Sequence, residues 1–304
     1  MKFKYNKRGA KNMKNFKDKV AVITGAASGI GRGLVNRAVK EGMKVVLADV
    51  EQKALTQAEE ELRSSGATVL SVLTDVSKVK DIEALAQKTI DAFGEVHLLC
   101  NNAGISPIGV TWEAPLADWK WIINVNLWGV IHGCRTFIPI MQKQDNECHI
   151  VNTGSLSGLM ANEIGQGMYI VTKYGVIGLT EILEKELSLI DSKIKVHALC
   201  PGMVKTKILD CERNRPAELR VDATEKSVHP KIEDVENAIL ALANEGEDPD
   251  IVGNFVFEGI KADLFYILTD TKLYFKRMIK DRMERILEAY PQNKKIHKSV
   301  KSGI

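Results

Sequence analysis

Cysteine is scarce in this 304-residue chain, and the few that occur do not form pairs. Cys100, Cys134, Cys148, Cys200 and Cys211 are odd in number and widely spaced, with no C-x-x-C couple. That excludes a disulfide framework and fits a reducing, cytoplasmic setting. No run approaches the roughly 18 consecutive apolar residues of a spanning helix, so no membrane is expected. The first 19 residues also lack the apolar centre of a secretory signal, which argues against export. The six histidines show no ligand spacing, and no metal is expected. At 45% hydrophobic and 27% charged residues, the composition excludes a wholly disordered chain and can supply a sizeable core.

The net charge of +3 conceals an asymmetry. Residues 1–19 carry eight Lys or Arg against Asp18, for +7, which leaves the remaining 285 residues at −4. A basic end on a mildly acidic body is not the spread basic face of a nucleic-acid-binding domain, so no nucleic acid is expected. Residues 1–17 read as a disordered, solvated tail.

From Val20 onward, short apolar runs alternate with helical patterns. Val20–Ile23, Val45–Ala48, Val69–Leu73, Val96–Cys100, Cys148–Val151 and Lys195–Cys200 read as strands. Helical spacing appears over about 30–41, 55–62, 79–93, 118–142 and 168–189, with Gly42, Gly66 and Gly94 as stops. Strands apolar on both faces, alternating with helices, imply a parallel sheet covered on both sides. Right-handed crossovers make it doubly wound. The expectation is an α/β, Rossmann-type doubly wound parallel sheet in a single domain over 18–292, with a C-terminal helical extension and a flexible tail over 293–304.

Between the first strand and first helix lies Thr24-Gly25-Ala26-Ala27-Ser28-Gly29-Ile30-Gly31. Glycines there let a pyrophosphate approach the helix N-terminus, where free N–H groups and the dipole favour anions. Gly25, Ser28, Gly29, Ile30 and Gly31 are therefore candidate cofactor contacts. Asp49 ends the second strand where an adenosine ribose would present its hydroxyls, and a carboxylate accepts from both. It would repel a 2′-phosphate, and no Lys or Arg follows directly, so NAD is favoured over NADP. A helix N-cap is the plainer role for Asp49.

Thr24–Gly31, Asn101-Asn102-Ala103-Gly104, Tyr169-Ile170-Val171-Thr172-Lys173 and Pro201-Gly202 stand in an order that resembles the short-chain dehydrogenase/reductase family. The resemblance covers about residues 18–205. It implies an oxidoreductase passing hydride between NAD and a secondary alcohol or ketone, with a homodimer or homotetramer as the working unit. Tyr169 and Lys173 are four apart and share a helix face. One ammonium about 4 Å from the phenol would favour the phenolate by roughly 4 kcal/mol at an effective dielectric near 20, or about three pKa units. Tyr169 is thus the expected general acid/base and Lys173 its tuner.

By resemblance, Ser155 orients the substrate, with Ser157 the alternative. Ser155 stands fourteen residues before Tyr169, one more than the family's commonest spacing, and Ala161–Gly167 must absorb the extra residue. Asn126 resembles the helix asparagine that supports a proton relay, and Asn124 is its alternative. Asp75 and Val76 resemble adenine contacts, and Asn102, Ala103 and Gly104 line the adenosine side. Pro201, Gly202, Val204 and Thr206 resemble the nicotinamide segment. Met160, Met203, Ile105 and Ile108 suggest an apolar substrate wall, and 203–230 a mobile substrate loop. The rival reading is a non-catalytic nucleotide-sensing or scaffold protein on the same fold.

At the C-terminus, Phe275, Ile279, Met283, Ile286 and Tyr290 form an apolar stripe on a helix expected over 271–290. It packs either on its own subunit or over a subunit contact or the substrate cleft.

Overall fold

Seven strands, all parallel, form one sheet in the order β3-β2-β1-β4-β5-β6-β7. The computed structural model describes residues 13, 15–144, 146–222 and 230–302. The strands are β1 (Val20–Thr24), β2 (Lys44–Asp49), β3 (Val69–Leu73), β4 (Leu98–Asn101), β5 (Cys148–Thr153), β6 (Ile194–Cys200) and β7 (Tyr266–Leu268). The period of two divides each strand between two cores. Ala21 and Ile23 of β1 face one core, together with Val45 and Leu47 of β2. Val20 and Val22 face the other, with Val46 and Ala48.

Helices α1 (Gly29–Lys40), α2 (Gln52–Ser64) and α8 (Pro249–Lys261) bury Leu34, Leu55 and Val256 in the first core. On the opposite face, α3 (Val79–Phe93), α5 (Gly129–Gln144) and α6 (Gly167–Leu189) bury Leu85, Phe137 and Val176. The strand order reverses between β1 and β4, which leaves a crevice beyond their carboxyl ends.

Three expectations need correction. The presumed tail is docked at its end: Met13 and Phe16 are buried in the first core, and the Phe16 ring lies 4.9 Å from that of Phe257. The Met13 N–H donates to Glu147 Oε1 at 2.8 Å. An aromatic among lysines was enough to anchor the strap; residues 1–12 and 14 lie outside the described residues.

The helix expected over 118–142 is three pieces: α4 (Leu116–Ile123), a π turn over Asn124–Trp128, and α5. The 203–230 segment holds short 3-10 turns at Cys211–Asn214 and Ala217–Leu219, and α7 (Pro230–Asn244) begins where it ends; residues 223–229 lie outside the described residues. The C-terminal helix α9 runs Leu273–Ser302, past the expected end near 290 and into the presumed tail. Pro291 removes one backbone donor, but the lysine-rich segment after it keeps helical spacing.

Candidate active site

A cavity of about 1180 Å³ opens at the carboxyl ends of the strands. At its phosphate end, Gly25 and Gly29 have φ of +65° and +52°, which favour glycine. A Cβ on Gly31 would lie 1.9 Å from the Gly25 carbonyl oxygen, so the turn closes only with glycine there. The first turn of α1 receives no side-chain cap from Ser28, so its N–H groups are left to an anion. Gly25, Ser28, Gly29 and Ile30 line the cavity, and Gly31 lies beneath them.

Asp49 is buried at the tip of β2. Its Oδ2 accepts from the Ala27 N–H at 3.0 Å and its Oδ1 from the Glu51 N–H at 3.0 Å. Burial raises its pKa, and the two N–H bonds oppose that shift. The N-cap of α2 is Glu51, so the plainer alternative of Asp49 as the helix cap is not what the structure shows. Instead Asp49 braces the glycine loop and still lines the cavity.

Asp75, Val76, Asn102, Ala103 and Gly104 also line it. Asp75 Oδ1 accepts from the Ser77 N–H at 3.0 Å and the Ser77 hydroxyl at 2.6 Å. Asn102 ties β4 to β1, its N–H donating to Thr24 Oγ1 at 2.9 Å and its Nδ2 to the Thr24 carbonyl at 2.9 Å. Across the cavity come Pro201, Gly202, Val204 and Thr206. The Thr206 side chain lies close over Gly29, where an added Cβ would meet its Cγ2 at 2.9 Å.

At the catalytic end, α6 carries Tyr169 and Lys173 into the cavity. Ser155 lies just after β5, and its hydroxyl favours the Tyr169 phenolate. Lys173 is 2% exposed, and its Nζ donates to the Thr153 carbonyl at 2.8 Å. It lies 5.4 Å from the Tyr169 ring centroid. Burial pushes the lysine down to about 8.

Burial drives Tyr169 upward, and the Ser155 hydroxyl opposes that shift.

Asn126 sits in the π turn, 1% exposed, whereas Asn124 is exposed. Its Oδ1 accepts from the Ile105 N–H at 2.9 Å, and its Nδ2 donates to the Ile105 carbonyl at 2.9 Å and to Thr172 Oγ1 at 3.2 Å. It clamps the strand-four loop to α6 and does not itself line the cavity.

Several lining residues had no local signal. Arg213 Nε and Asn214 Nδ2 donate to Glu51 Oε1 at 3.0 and 2.9 Å, holding the post-β6 segment across the tip of β2. Glu163 enters from the loop before α6, its Oε2 accepting from Ser157 Oγ at 2.6 Å. Gln166 accepts from Ser106 Oγ at 2.6 Å. Met160, Met203 and Ile105 line the apolar wall as expected, joined by Trp121; Ile108 does not.

The first turns of α9 add Tyr274, Phe275 and Met278. Phe275, Met278 and Ile279 pack on Leu156, Met160 and Ile177 of the same chain. The rest of the stripe, Met283, Ile286 and Tyr290, is exposed.

This geometry can bind a dinucleotide along the strand tips and exchange a proton at Tyr169. A family model for short chain dehydrogenases matches residues 19–216. The chain belongs to the short-chain dehydrogenase family. It is an oxidoreductase acting between alcohols and ketones. This dehydrogenase is similar to a crystal structure of a short-chain dehydrogenase/reductase from Burkholderia phymatum in complex with NAD. The identity is 40% and the TM-score 0.87, covering 91% of this chain and 97% of that one. A CLA biosynthesis dehydrogenase/reductase of Lactiplantibacillus plantarum is 34% identical over 277 residues, which is 90% of this chain and 95% of that protein. A diacetyl reductase ((S)-acetoin forming) of Staphylococcus epidermidis is 30% identical over 268 residues, 85% of this chain and 99% of that protein. Among the described residues, no helix is long and apolar enough to cross a membrane.

Proposed function

We propose that this dehydrogenase interconverts a mid-sized, partly apolar secondary alcohol and its ketone, with NAD as the hydride carrier. The observation that carries the reading is the meeting of Tyr169, Ser155 and Lys173 in one cavity with the glycine loop and Asp49. The cradle fits a dinucleotide: an uncapped helix N-terminus for the pyrophosphate, side-chain-free walls at Gly25, Gly29 and Gly31, and a carboxylate at the ribose end. Asp75 and Val76 would flank the adenine. Asn102, Ala103 and Gly104 would face the adenosine side, and Pro201, Gly202, Val204 and Thr206 the nicotinamide. When bound, the cofactor supplies the hydride acceptor or donor.

The chain's own residues handle the proton. Tyr169 gives it to the substrate oxygen in reduction and takes it in oxidation. Ser155 holds that oxygen against Tyr169. The ammonium of Lys173, lowered by burial, holds the cofactor ribose and favours the phenolate. Asn126 keeps α6 in register with the loop after β4.

The proposal extends to a single domain from about residue 13 to 302 that works as a homodimer or homotetramer in the cytoplasm. The exposed apolar stripe Met283, Ile286 and Tyr290 supports self-association, and the five buried free thiols accord with a reducing compartment. A spectrophotometric panel of secondary alcohols with NAD and NADP tests the reading. Reduction of NAD by at least one alcohol is expected, and no turnover with either cofactor would contradict it.

A further inference from the structure

Behind Ser155, which lines the cavity with Tyr169, runs a line of hydrogen bonds. Ser155 Oγ donates to Ser157 Oγ at 3.1 Å, and Ser157 Oγ donates to Glu163 Oε2 at 2.6 Å. The backbone N–H of Ser157 also donates to Ser155 Oγ at 3.1 Å, which fixes the two serines in register. Both serines are buried, while Glu163 is half-buried on the cavity wall. Because an ionised carboxylate only accepts, the row is polarised from Ser155 towards Glu163, and Tyr169 lines the same cavity beside Ser155. Glu163 lies within Ala161–Gly167, the stretch that absorbs the additional residue between Ser155 and Tyr169, so the carboxylate reaches the wall through the chain's own loop.

We propose that Tyr169, Ser155, Ser157 and Glu163 form a proton outlet, separate from any route through Lys173, that clears the phenol after alcohol oxidation. The inference rests on the proposed role of Tyr169. After Tyr169 has taken the substrate hydroxyl proton, its O–H proton passes to Ser155 Oγ. The Ser155 hydrogen passes to Ser157 Oγ, and the Ser157 hydrogen to Glu163 Oε2. Each serine loses one proton and gains one. The net change is phenol to phenolate and carboxylate to carboxylic acid, with no electron transferred, and Glu163 then discharges to water at the cavity mouth. Glu163 acts through the serines and is a positioning residue.

The test follows proton release and NADH formation together in stopped flow. It uses a pH-indicator dye in weak buffer, NAD, and the secondary alcohol that the parent protein oxidises fastest in the panel. In the parent, proton release should keep pace with NADH. Glu163→Gln keeps the volume and the Ser157 contact but cannot take a proton. It should slow kcat for oxidation and proton release roughly tenfold, with KM and NADH binding within about twofold of the parent. Glu163→Asp should restore most of the loss. A Glu163→Gln protein with the parent's kcat and proton release overturns the proposal, as does an Asp variant no better than Gln.

Should Glu163→Gln fail to bind NADH, Ser157→Ala breaks the same chain, and parental proton release in that variant also overturns the proposal. Normal Glu163→Gln turnover beside a dead Tyr169→Phe sinks this inference alone. An active Tyr169→Phe, or a parent inactive across the panel, sinks the reading beneath it.

Discussion

Replacing Asp49 by Asn keeps the shape of the side chain and removes its charge, so it tests cofactor choice at one atom's cost. Asp49 is 9% exposed and ends β2 in the cavity, with both oxygens already holding the N–H groups of Ala27 and Glu51. A 2′-phosphate brought within about 4–5 Å of that carboxylate meets roughly 3–4 kcal/mol of repulsion per unit charge at an effective dielectric near 20. The nearby guanidinium of Arg213 offsets little, since it is bonded to Glu51 and to the Lys207 carbonyl. Even when solvent screening removes most of that repulsion, about 1.4 kcal/mol remains, which is tenfold in affinity. NADH should therefore bind at least about tenfold more tightly than NADPH in a fluorescence titration. Asp49→Asn should weaken NADH, improve NADPH and bring the two within a few-fold. Equal affinities in the unmodified protein would refute the argument, because the charge would then have no bearing on the 2′-position.

Deleting residues 1–17 should lower the melting temperature by about 5 °C or more, since losing a buried phenyl alone costs roughly 3 kcal/mol, and scanning calorimetry showing an unchanged transition would contradict the docking of Phe16. Lys173→Met should abolish turnover yet stabilise the fold at pH 7 by about 1–3 kcal/mol, because burial holds the folded lysine near 8, below its unfolded value. A depressed lysine makes the parent's stability rise between about pH 8 and 10.5, as the unfolded chain binds the extra proton there, so the advantage of Lys173→Met should shrink over that window; a pH-independent gap in denaturant melts would contradict this origin. Ser155→Ala should cut kcat by about a thousandfold, and Ser157→Ala only about tenfold; the reverse order in steady-state assays would move the substrate-orienting role to Ser157.

The parallel sheet was legible because its strands are apolar on both faces and its helices end in glycine. Ala21 and Val22 needed only the period of two to be assigned to opposite cores. The glycine loop, Asp49, Tyr169 and Lys173 were legible because each lies within a few residues of a strand or helix end, and the fold brings those ends to one cavity. Phe16 was not legible: a single aromatic in a basic stretch carries no period, and its partner Phe257 is 241 positions away. Helix α8 went unread although Asp248 caps it, accepting from the Asp250 N–H at 2.8 Å, with Pro249 at its first position. Its apolar spacing is interrupted by Gly253 and Gly259, which lets it approach α1 and β7 closely. Contacts such as Arg213 with Glu51 depend on a long segment folding back over the sheet, and no spacing records that. The bond from Lys173 to the Thr153 carbonyl was not legible either, because four residues along a helix set the face that Tyr169 and Lys173 share but not where Nζ turns.

Tyr169 is the group on which exchange of the substrate proton depends most directly. Tyr169→Phe keeps the ring against Ile105 and Met168 and removes only the hydroxyl. Measured with NAD and the best alcohol of the panel, kcat should fall by about a thousandfold or more, while NADH titrates with the parent's affinity. Turnover within about tenfold of the parent would contradict the central claim.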